Sequence, residues 1–455
     1  MKKKVFKVLS TAGLLAIIAA CNNEEEPEVI EEDTTNENVE EESEDMEEGM
    51  DHGDMDHEDM DHGDMDHGDM DHGDMDHNME GGSEEEIREK AATPPESLNE
   101  NATQGLIDNQ TKNITRIDNN DTIEFAVQVS QTVWPAVYEE NQPGTVILVP
   151  EDNWQVSLAS LNLVHHPNDG PALFIESDNI PEVVSQEISR LQPKGNDEGV
   201  EVIVMGSVSD SVIEELDEYN VEQIQEDDPA SFAYEIDEAY ASIIGEAPEN
   251  VIVGSMEDES RELTTVAGNW IAHMDESLLY VDSDEIPEAT SEALEIREGN
   301  ANIYLLGSES AISANVEEEL NEYGEVERIE GESPAELSVA FAQFRDDDND
   351  FGWGINEPGH GLSFISTDTP YLAIAGAPFA HLGKHAPMIW LEEGELTDEV
   401  YEYFSALKPI FENNPMEGPY NHGFILGTFD DISFETQGII DQKLELEGLN
   451  GHGGH

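Results

Sequence analysis

The feature that most constrains the fold of this chain is a sequence pattern that occurs three times between residues 113 and 448. Each copy has an apolar run of strand length, then a glycine with a hydroxyl residue, then a helix-forming segment. The three turns are Gly206-Ser207, Gly307-Ser308 and Gly427-Thr428. A serine follows each turn, at Ser209, Ser313 and Ser433, in position to cap the next helix. Each copy therefore predicts a strand, a tight turn and a capped helix.

Two further patterns recur with nearly the same period. Apolar strand-like runs precede polar turns at 172–175, 278–281 and 388–391. A motif of the form Ile-Thr-Arg-Ile or Val-Glu-X-Ile, each copy preceding a helix, occupies 114–117, 221–224 and 326–329. Strands that alternate with helices predict parallel sheets covered on both faces. The sequence therefore predicts an α/β fold of three tandem α/β/α subdomains with parallel sheets, at 113–223, 224–328 and 329–448.

The third copy contains the best-preserved segment, Tyr371 to Ala380 followed by Ala386 to Ile389. This alanine-rich helix and Ala-Pro strand start, with the Val-Glu-Arg-Ile motif and the glycine turns, resemble the cell wall-binding repeat 2 family. Proteins of that family carry the repeat in tandem threes on the surface of Gram-positive bacteria. The resemblance covers about residues 113–448 and implies Rossmann-like subdomains in a pseudo-threefold arrangement. It also implies non-covalent attachment to anionic cell wall polymers.

The start of the chain has the form of an export signal. Lys2, Lys3, Lys4 and Lys7 precede the short apolar stretch Val8–Ala20, which ends in small residues. Cys21 follows directly, is the only cysteine of the chain and resembles the lipidated cysteine of a bacterial lipobox. We therefore expect residues 1–20 to be a lipoprotein signal peptide. Lipid on Cys21 would then hold the mature chain on the outer face of the cell membrane, facing the wall.

Residues 21–112 predict a disordered acidic linker, because they have few residues able to build a core. Within it, an Asp-His-X-Asp-Met repeat occupies 51–80. Imidazole suits copper, nickel and zinc, and thioether sulfur selects Cu(I), so the tract predicts copper or zinc binding. A solvated low-complexity spacer is the alternative. The candidate ligands are His52, His57, His62, His67, His72 and His77, with Met55, Met60, Met65, Met70 and Met75.

The charge of the chain excludes one large class of partner. It has 17 basic and 107 acidic side chains, for a formal net charge of −90. Nucleic acids need a basic surface, so we expect no nucleic-acid binding. Residues 91–455 alone carry 75 acidic and 11 basic side chains. A folded surface of this kind suits high salt, and a halophilic or alkaliphilic source is our hypothesis.

The sequence offers few candidates for chemistry. It has no Gly-X-Gly-X-X-Gly, phosphate-loop or Gly-X-Ser-X-Gly motif, and we predict no catalytic or cofactor-binding residues. The glycine turns could present amides to an anion, although helix caps are the favoured interpretation. Outside the tract, His381 and His385 have the spacing of a metal pair on a helix, although a surface pair is the favoured interpretation, and His360 and His422 could join them in space. His165 with His166 is a loop pair, and His452 with His455 in the Gly/His tail 449–455 is a weak metal signal.

Two functions follow as expectations. The first is a surface-anchored lipoprotein whose three repeats form a non-catalytic module that binds a cell wall or envelope polymer. The alternative is an extracytoplasmic lipoprotein that buffers copper or zinc through the 51–80 tract. The expected partners are a wall polymer, the membrane through lipid on Cys21, and metal ions.

Overall fold

The computed structural model of the chain describes residues 83–99, 101–226 and 228–449. Its strands are β1 (Ile114–Ile117), β2 (Val146–Pro150), β3 (Ala172–Ile175), β4 (Val202–Met205), β5 (Val221–Ile224), β6 (Asn250–Ser255), β7 (Ser277–Val281), β8 (Ala301–Leu306), β9 (Gly324–Ile329), β10 (Gly361–Ser366), β11 (Met388–Leu391), β12 (Ile410–Phe411), β13 (His422–Leu426) and β14 (Glu447–Gly448).

The α-helices in the same residues are α1 (Glu84–Ala91), α2 (Thr122–Val133), α3 (Trp154–Ala159), α4 (Glu182–Leu191), α5 (Asp210–Glu215), α6 (Pro229–Ile244), α7 (Arg261–Thr264), α8 (Ala267–Ile271), α9 (Glu288–Glu295), α10 (Ala314–Leu320), α11 (Pro334–Gln343), α12 (Tyr371–Gly376), α13 (Asp398–Leu407) and α14 (Phe434–Leu444). Short 3-10 segments lie at Glu139–Asn141, Ser160–Leu163, Asp258–Ser260, Ala377–Phe379 and Pro415–Glu417.

The strands of the described residues build three four-stranded sheets and a short pair formed by β12 and β14. The strand orders are β3-β2-β4-β5, β7-β6-β8-β9 and β11-β10-β13-β1, and we call these sheets with their helices the first, second and third unit. Every neighbouring pair is parallel. Every residue of β3, β4, β7, β10 and β11 is buried, as parallel sheets covered on both faces require. The predicted α/β class with parallel sheets is confirmed.

The third sheet is completed by the first strand of the described residues. β1 pairs with β13, with Ile114 opposite Gly423 and Ile117 opposite Leu426. The predicted repeat 113–223 begins with this strand, yet β1 belongs to the sheet of residues 361–426. The first unit therefore lacks the first strand of its predicted repeat, and this strand completes the third sheet instead.

The position of β1 in the third sheet follows from the crossover after each edge strand. The helices that follow β1, β5 and β9 are α2, α6 and α11, and they pack on β3, β7 and β11 respectively. Each of these helices therefore lies on the sheet of the next unit. The edge strand of the third unit is β1, which precedes the first unit in sequence. The connections between the units therefore form a closed cycle.

Short helices fill the junction between the three units. α12 contacts both α3 and α8, and α8 also contacts the 3-10 segment that continues α3. Gly268 in α8 permits this approach, because a Cβ there would lie 3.1 Å from Leu158 Cδ1 and 3.2 Å from Leu161 Cδ1. Most of the buried apolar side chains of the three units belong to one continuous core.

The repeated sequence motifs have a shared structural role. Gly206, Gly307 and Gly427 follow β4, β8 and β13 with φ of 74°, 97° and 124°, which only glycine adopts readily. The polar residue of the edge-strand motif donates to the carbonyl of that glycine in all three units. These contacts are Gln223 Nε2 to Gly206 O (3.0 Å), Arg328 Nη1 to Gly307 O (2.9 Å) and Arg116 Nη1 to Gly427 O (2.7 Å).

One helix lies in the region for which we predicted a disordered linker, 21–112, so the prediction is wrong for this segment. α1 begins with a reciprocal capping box between Ser83 and Glu86. Ile87 and Ala91 are buried, and Arg88 Nη1 donates to Ser405 O at 2.7 Å, beside the end of α13. Tertiary packing and a cap therefore order a segment whose composition is acidic.

Several predictions fall outside the described residues. They are the signal peptide with Cys21, the 51–80 tract with its histidines and methionines, and His452 and His455 in the tail. Among the described residues, no helix has the length and apolar character needed to cross a bilayer.

Candidate functional site

Three equivalent histidines converge where the units join. His165, His273 and His381 are spaced by 108 residues in each case, and each follows one of the short helices of the junction. The rings of His165 and His381 lie edge to face, with centroids 5.1 Å apart. His381 is nearly buried, with 9% of its side chain exposed, and its Nδ1 has no partner among the described residues.

Two carboxylates hold His165 and His381. His381 Nε2 lies 3.0 Å from Asp169 Oδ1, and this hydrogen bond is the main cause that lowers the pKa of Asp169. His165 Nδ1 lies 3.5 Å from Asp275 Oδ1, which also accepts a hydrogen bond from the Tyr240 hydroxyl at 2.9 Å. Burial lowers the pKa of His165, and the neighbouring His381 lowers it further. Neutral imidazole is thus the favoured form of His165 at pH 7.

His273, the third of the equivalent histidines, pairs with His385. His273 Nε2 lies 3.1 Å from His385 Nδ1, and the two ring centroids are 4.5 Å apart. His273 also stacks on Trp353, with an angle of 7° between the ring planes. Burial and three neighbouring histidine rings lower the pKa of His273 to about 4. This ring is therefore neutral and fixed in orientation at pH 7.

A pocket of about 490 Å³ adjoins His385 at the amino-terminal ends of the third unit's strands, and we call it the third-unit pocket. Its lining includes Lys112, Lys384, His360, His385, His422 and Tyr420, and no acidic side chain. Lys112 forms an ion pair with Glu445, whereas no described carboxylate pairs with Lys384. Burial, with Lys384 as a second cause, lowers the pKa of His422 to about 4.

The corresponding pockets of the other two units are acidic. The pocket of the first unit, about 420 Å³, has Lys194 together with Glu140, Asp169 and Asp197. The pocket of the second unit, about 440 Å³, has Arg297 among the carboxylates Glu246, Glu249, Asp275 and Glu298. The third-unit pocket therefore differs in charge from its two counterparts, although all three lie at the same end of related sheets.

All seven histidines of the described residues belong to this region, which we call the histidine face: His165, His166, His273, His360, His381, His385 and His422. Within this part of the chain, no group of three or more His, Cys, Asp or Glu side chains is arranged to hold a metal ion. The histidine face thus consists of pairs and of a pocket lining, and it is not a preformed three-ligand centre.

The sequence located this region only in part. His381 and His385 were expected as a pair at helical spacing, but Lys384 and His385 have positive φ, so the two rings point to different partners. The sequence could not show whether His360 and His422 join the other pair, and in the structure they share a pocket lining with His385. His273 was not predicted. Its signal was the equal spacing of 108 residues, which shows up only when the three copies are aligned.

The glycine turns act mainly in helix capping. The hydroxyl of Ser433 accepts from Thr436 N at 3.0 Å, and that of Ser313 accepts from Val316 N at 3.5 Å. Ser209 occupies the same position, but its hydroxyl lies 2.7 Å from Ser211 Oγ. The glycine carbonyls are used by the edge-strand residues described above. These contacts agree with the capping interpretation.

The fold is similar to those of two solved structures. Cwp8 from Clostridium difficile is 18% identical, with a TM-score of 0.57, over 74% of this chain and 52% of that chain. Cwp6 from Clostridium difficile is 15% identical, with a TM-score of 0.57, over 75% of this chain and 50% of that chain. This chain therefore spans about half the length of the solved structures it matches. No family model and no curated protein matches it. At these identities, the likeness is one of fold.

Proposed function

We propose that this chain is a surface-anchored lipoprotein whose three units form a non-catalytic module that binds a cell wall or envelope polymer. The observation that carries the proposal is the similarity of the fold to Cwp8 and Cwp6. This similarity extends over about three quarters of the chain. Both of those are cell wall proteins. The resemblance of the repeats to the cell wall-binding repeat 2 family supports the same function.

The third-unit pocket supplies a place for an anionic polymer on an otherwise acidic module. Lys384 and Lys112 lie there with three histidines and no acidic side chain in the lining. At physiological salt, the Debye length is about 8 Å, so repulsion from distant carboxylates is largely screened. A phosphate or carboxylate group in the pocket would then interact chiefly with the lysines. Tyr420, which is 62% exposed, offers an apolar surface to a sugar ring.

Cosedimentation with purified wall sacculi tests this proposal. We expect the wild-type chain to sediment with sacculi, and Lys384→Glu to reduce the bound fraction by roughly tenfold, because it reverses the charge of the pocket. Lys194→Glu is the matched control, since Lys194 lies in the acidic pocket of the first unit. The proposal fails if the wild-type chain stays in the supernatant at both low and molar NaCl. An equal reduction of the bound fraction in the two variants would mean that the third-unit pocket is not the binding site.

The anchor has its own test. Processing at Cys21 predicts a mature chain that begins with a lipidated cysteine and stays with the membrane fraction. Cys21→Ser should release the protein or leave the signal peptide uncleaved, which the intact mass distinguishes. Membrane retention of a correctly cleaved Cys21→Ser chain would contradict lipid anchoring.

A second candidate function depends on a different segment. The regular spacing of histidine, methionine and aspartate at 51–80 favours binding of copper or zinc in the space outside the membrane. Titration calorimetry with Cu(I), Cu(II) and Zn²⁺ on the full chain and on a chain lacking 51–80 tests it. Equal uptake by the two chains would exclude the tract as the metal-binding element.

A further inference from the structure

We propose that His273 and His385 form a two-histidine site for a divalent transition-metal ion of the Cu²⁺, Ni²⁺ or Zn²⁺ class, at the junction of the second and third units. This site is distinct from the 51–80 tract, and it does not depend on polymer binding. Water or an external ligand would complete the coordination, which is consistent with the absence of a three-residue group among the described residues.

The first argument is the separation of the two nitrogens. His273 Nε2 and His385 Nδ1 are 3.1 Å apart. With metal–nitrogen bonds of about 2.0–2.1 Å, two imidazole ligands of one ion have nitrogens about 2.9 Å apart at a right angle and about 3.3 Å apart at the tetrahedral angle. The observed separation lies between these values, as two imidazoles that share one ion require.

The second argument is that one ligand is already held in place by its neighbours. Stacking on Trp353 fixes the plane of the His273 ring, which reduces the entropy lost on binding. His385 lies in the exposed turn before β11 and leaves the pair open to solvent.

The third argument is the surrounding charge. Metal binding adds positive charge, and Asp169 and Asp275 lie in the same cluster, where they contact His381 and His165. Lys384 is the cation next to the pair in sequence. The imidazoles rather than the carboxylates are placed to coordinate, and this favours a borderline transition metal over Ca²⁺ or Mg²⁺.

The site has a structural consequence that can be measured. His273 follows α8 of the second unit, and His385 precedes β11 of the third, so a shared ion would link two units through their side chains. An ion that binds only the folded state raises the unfolding temperature by mass action. Ni²⁺ is the probe, because it prefers imidazole and is not redox-active under these conditions.

The test compares thermal unfolding of full-length chains with and without millimolar Ni²⁺. The tract is identical in every variant, so its own uptake is a common background. We expect Ni²⁺ to raise the unfolding midpoint of the wild-type chain by several degrees, and this rise to be lost in His385→Ala. His166→Ala is the matched control and should keep the rise, because His166 is an exposed histidine of the same face that pairs only with Asp169.

Two results would overturn the proposal. One is an equal rise in the wild-type chain and in His385→Ala, which would assign the effect to other histidines. The other is no rise in the wild-type chain at saturating Ni²⁺, which would leave the His273–His385 contact as a hydrogen bond only. His385→Ala removes an exposed side chain, so loss of the rise would not reflect failure to fold.

Discussion

At the scale of single residues, Arg116 is the contact that closes the cycle of units. Its side chain is buried, and it donates to Gly427 O and Thr428 O through Nη1 and to Ile432 O through Nη2. These acceptors lie more than 300 residues later in the sequence. Arg116 therefore supplies the donors for Gly427 O and Ile432 O of the third unit, and buried carbonyls cost free energy when left unpaired.

Arg116→Ala should lower the free energy of unfolding by about 3 kcal/mol or more, because several carbonyls lose their donors and a cavity remains. Urea unfolding followed by circular dichroism measures the change. Arg345→Ala is the control, since Arg345 forms exposed ion pairs with Asp347 and Asp350 and one hydrogen bond to Gly352 O, and it should change stability by about 1 kcal/mol or less. Similar losses for the two variants would contradict the role given to Arg116.

The burial of His273 leads to a second prediction for a single residue, which concerns the pH dependence of stability. The pKa of His273 is about 4 in the folded chain, against about 6.5 for a histidine in an unfolded chain. Between these values the unfolded state binds more protons, so this group contributes stability that is present above pH 6.5 and is lost as the pH falls toward 4. Coulombic repulsion from His385, His165 and His381 adds to the effect of burial on the pKa of His273.

His273→Gln removes this titration and should make stability fall less steeply between pH 6.5 and 4. The urea midpoint at several pH values measures the slope, and every other titratable residue is the same in both chains. Identical slopes for the wild-type chain and His273→Gln would rule out a buried neutral His273.

Sequence reasoning located some of these residues and missed others for a physical reason. Ser433 and the positive-φ glycines have local signatures, because capping and backbone conformation depend on neighbours in the chain. His273 acquires its role from Trp353 and His385, which are distant in sequence. Only the 108-residue spacing connects it with His165 and His381, and spacing alone does not say which side chains meet.

At the scale of elements, the strands and their parallel pairing were predictable, while the assignment of β1 was not. A cyclic repeat has the same periodicity wherever the chain enters it, so the sequence cannot show whether β1 joins the first or the third sheet. The pairing of Ile114 with Gly423 decides the question. Helix α1 was missed because acidic composition outweighed a legible capping box at Ser83 and Glu86.

Removal of β1 should loosen the third unit selectively. A chain that begins at residue 120 leaves β13 as an exposed edge, so its amides at 422–426 should exchange with deuterium at least tenfold faster than in a chain that begins at residue 83. Hydrogen exchange measured by mass spectrometry reports this change. Strand β4 of the first unit is the internal control, because it keeps both neighbours. Unchanged protection of β13 would be inconsistent with the observed pairing.

At the scale of the whole molecule, charge dominates the behaviour. Residues 91–455 carry 75 acidic side chains and 11 basic ones, and most of the basic side chains already form ion pairs or buried hydrogen bonds. The remaining carboxylates repel one another across the surface. Salt shortens the range of this repulsion. It therefore stabilises the folded state, in which the charges lie closer together, relative to the unfolded chain.

The free energy of unfolding should therefore rise between about 0.05 M and about 2 M NaCl, where the Debye length falls to a few ångströms. Urea midpoints across this range measure the rise. NaCl is preferred to a sulfate salt, because sulfate also strengthens apolar burial. A midpoint that stays constant or falls with NaCl would count against adaptation of this surface to high salt.

The closure of the third sheet by β1, which precedes all other strands of the described residues, also limits how this protein can evolve. In an open solenoid, a duplicated copy adds to one end and every existing interface survives. Here a fourth copy would have to break the pairing between β1 and β13. It would also have to place a fourth unit around a junction that α3, α8 and α12 already fill. The geometry thus favours three copies and leaves divergence among the copies as the route to diversification, as the different lining charge of one of the three related pockets exemplifies.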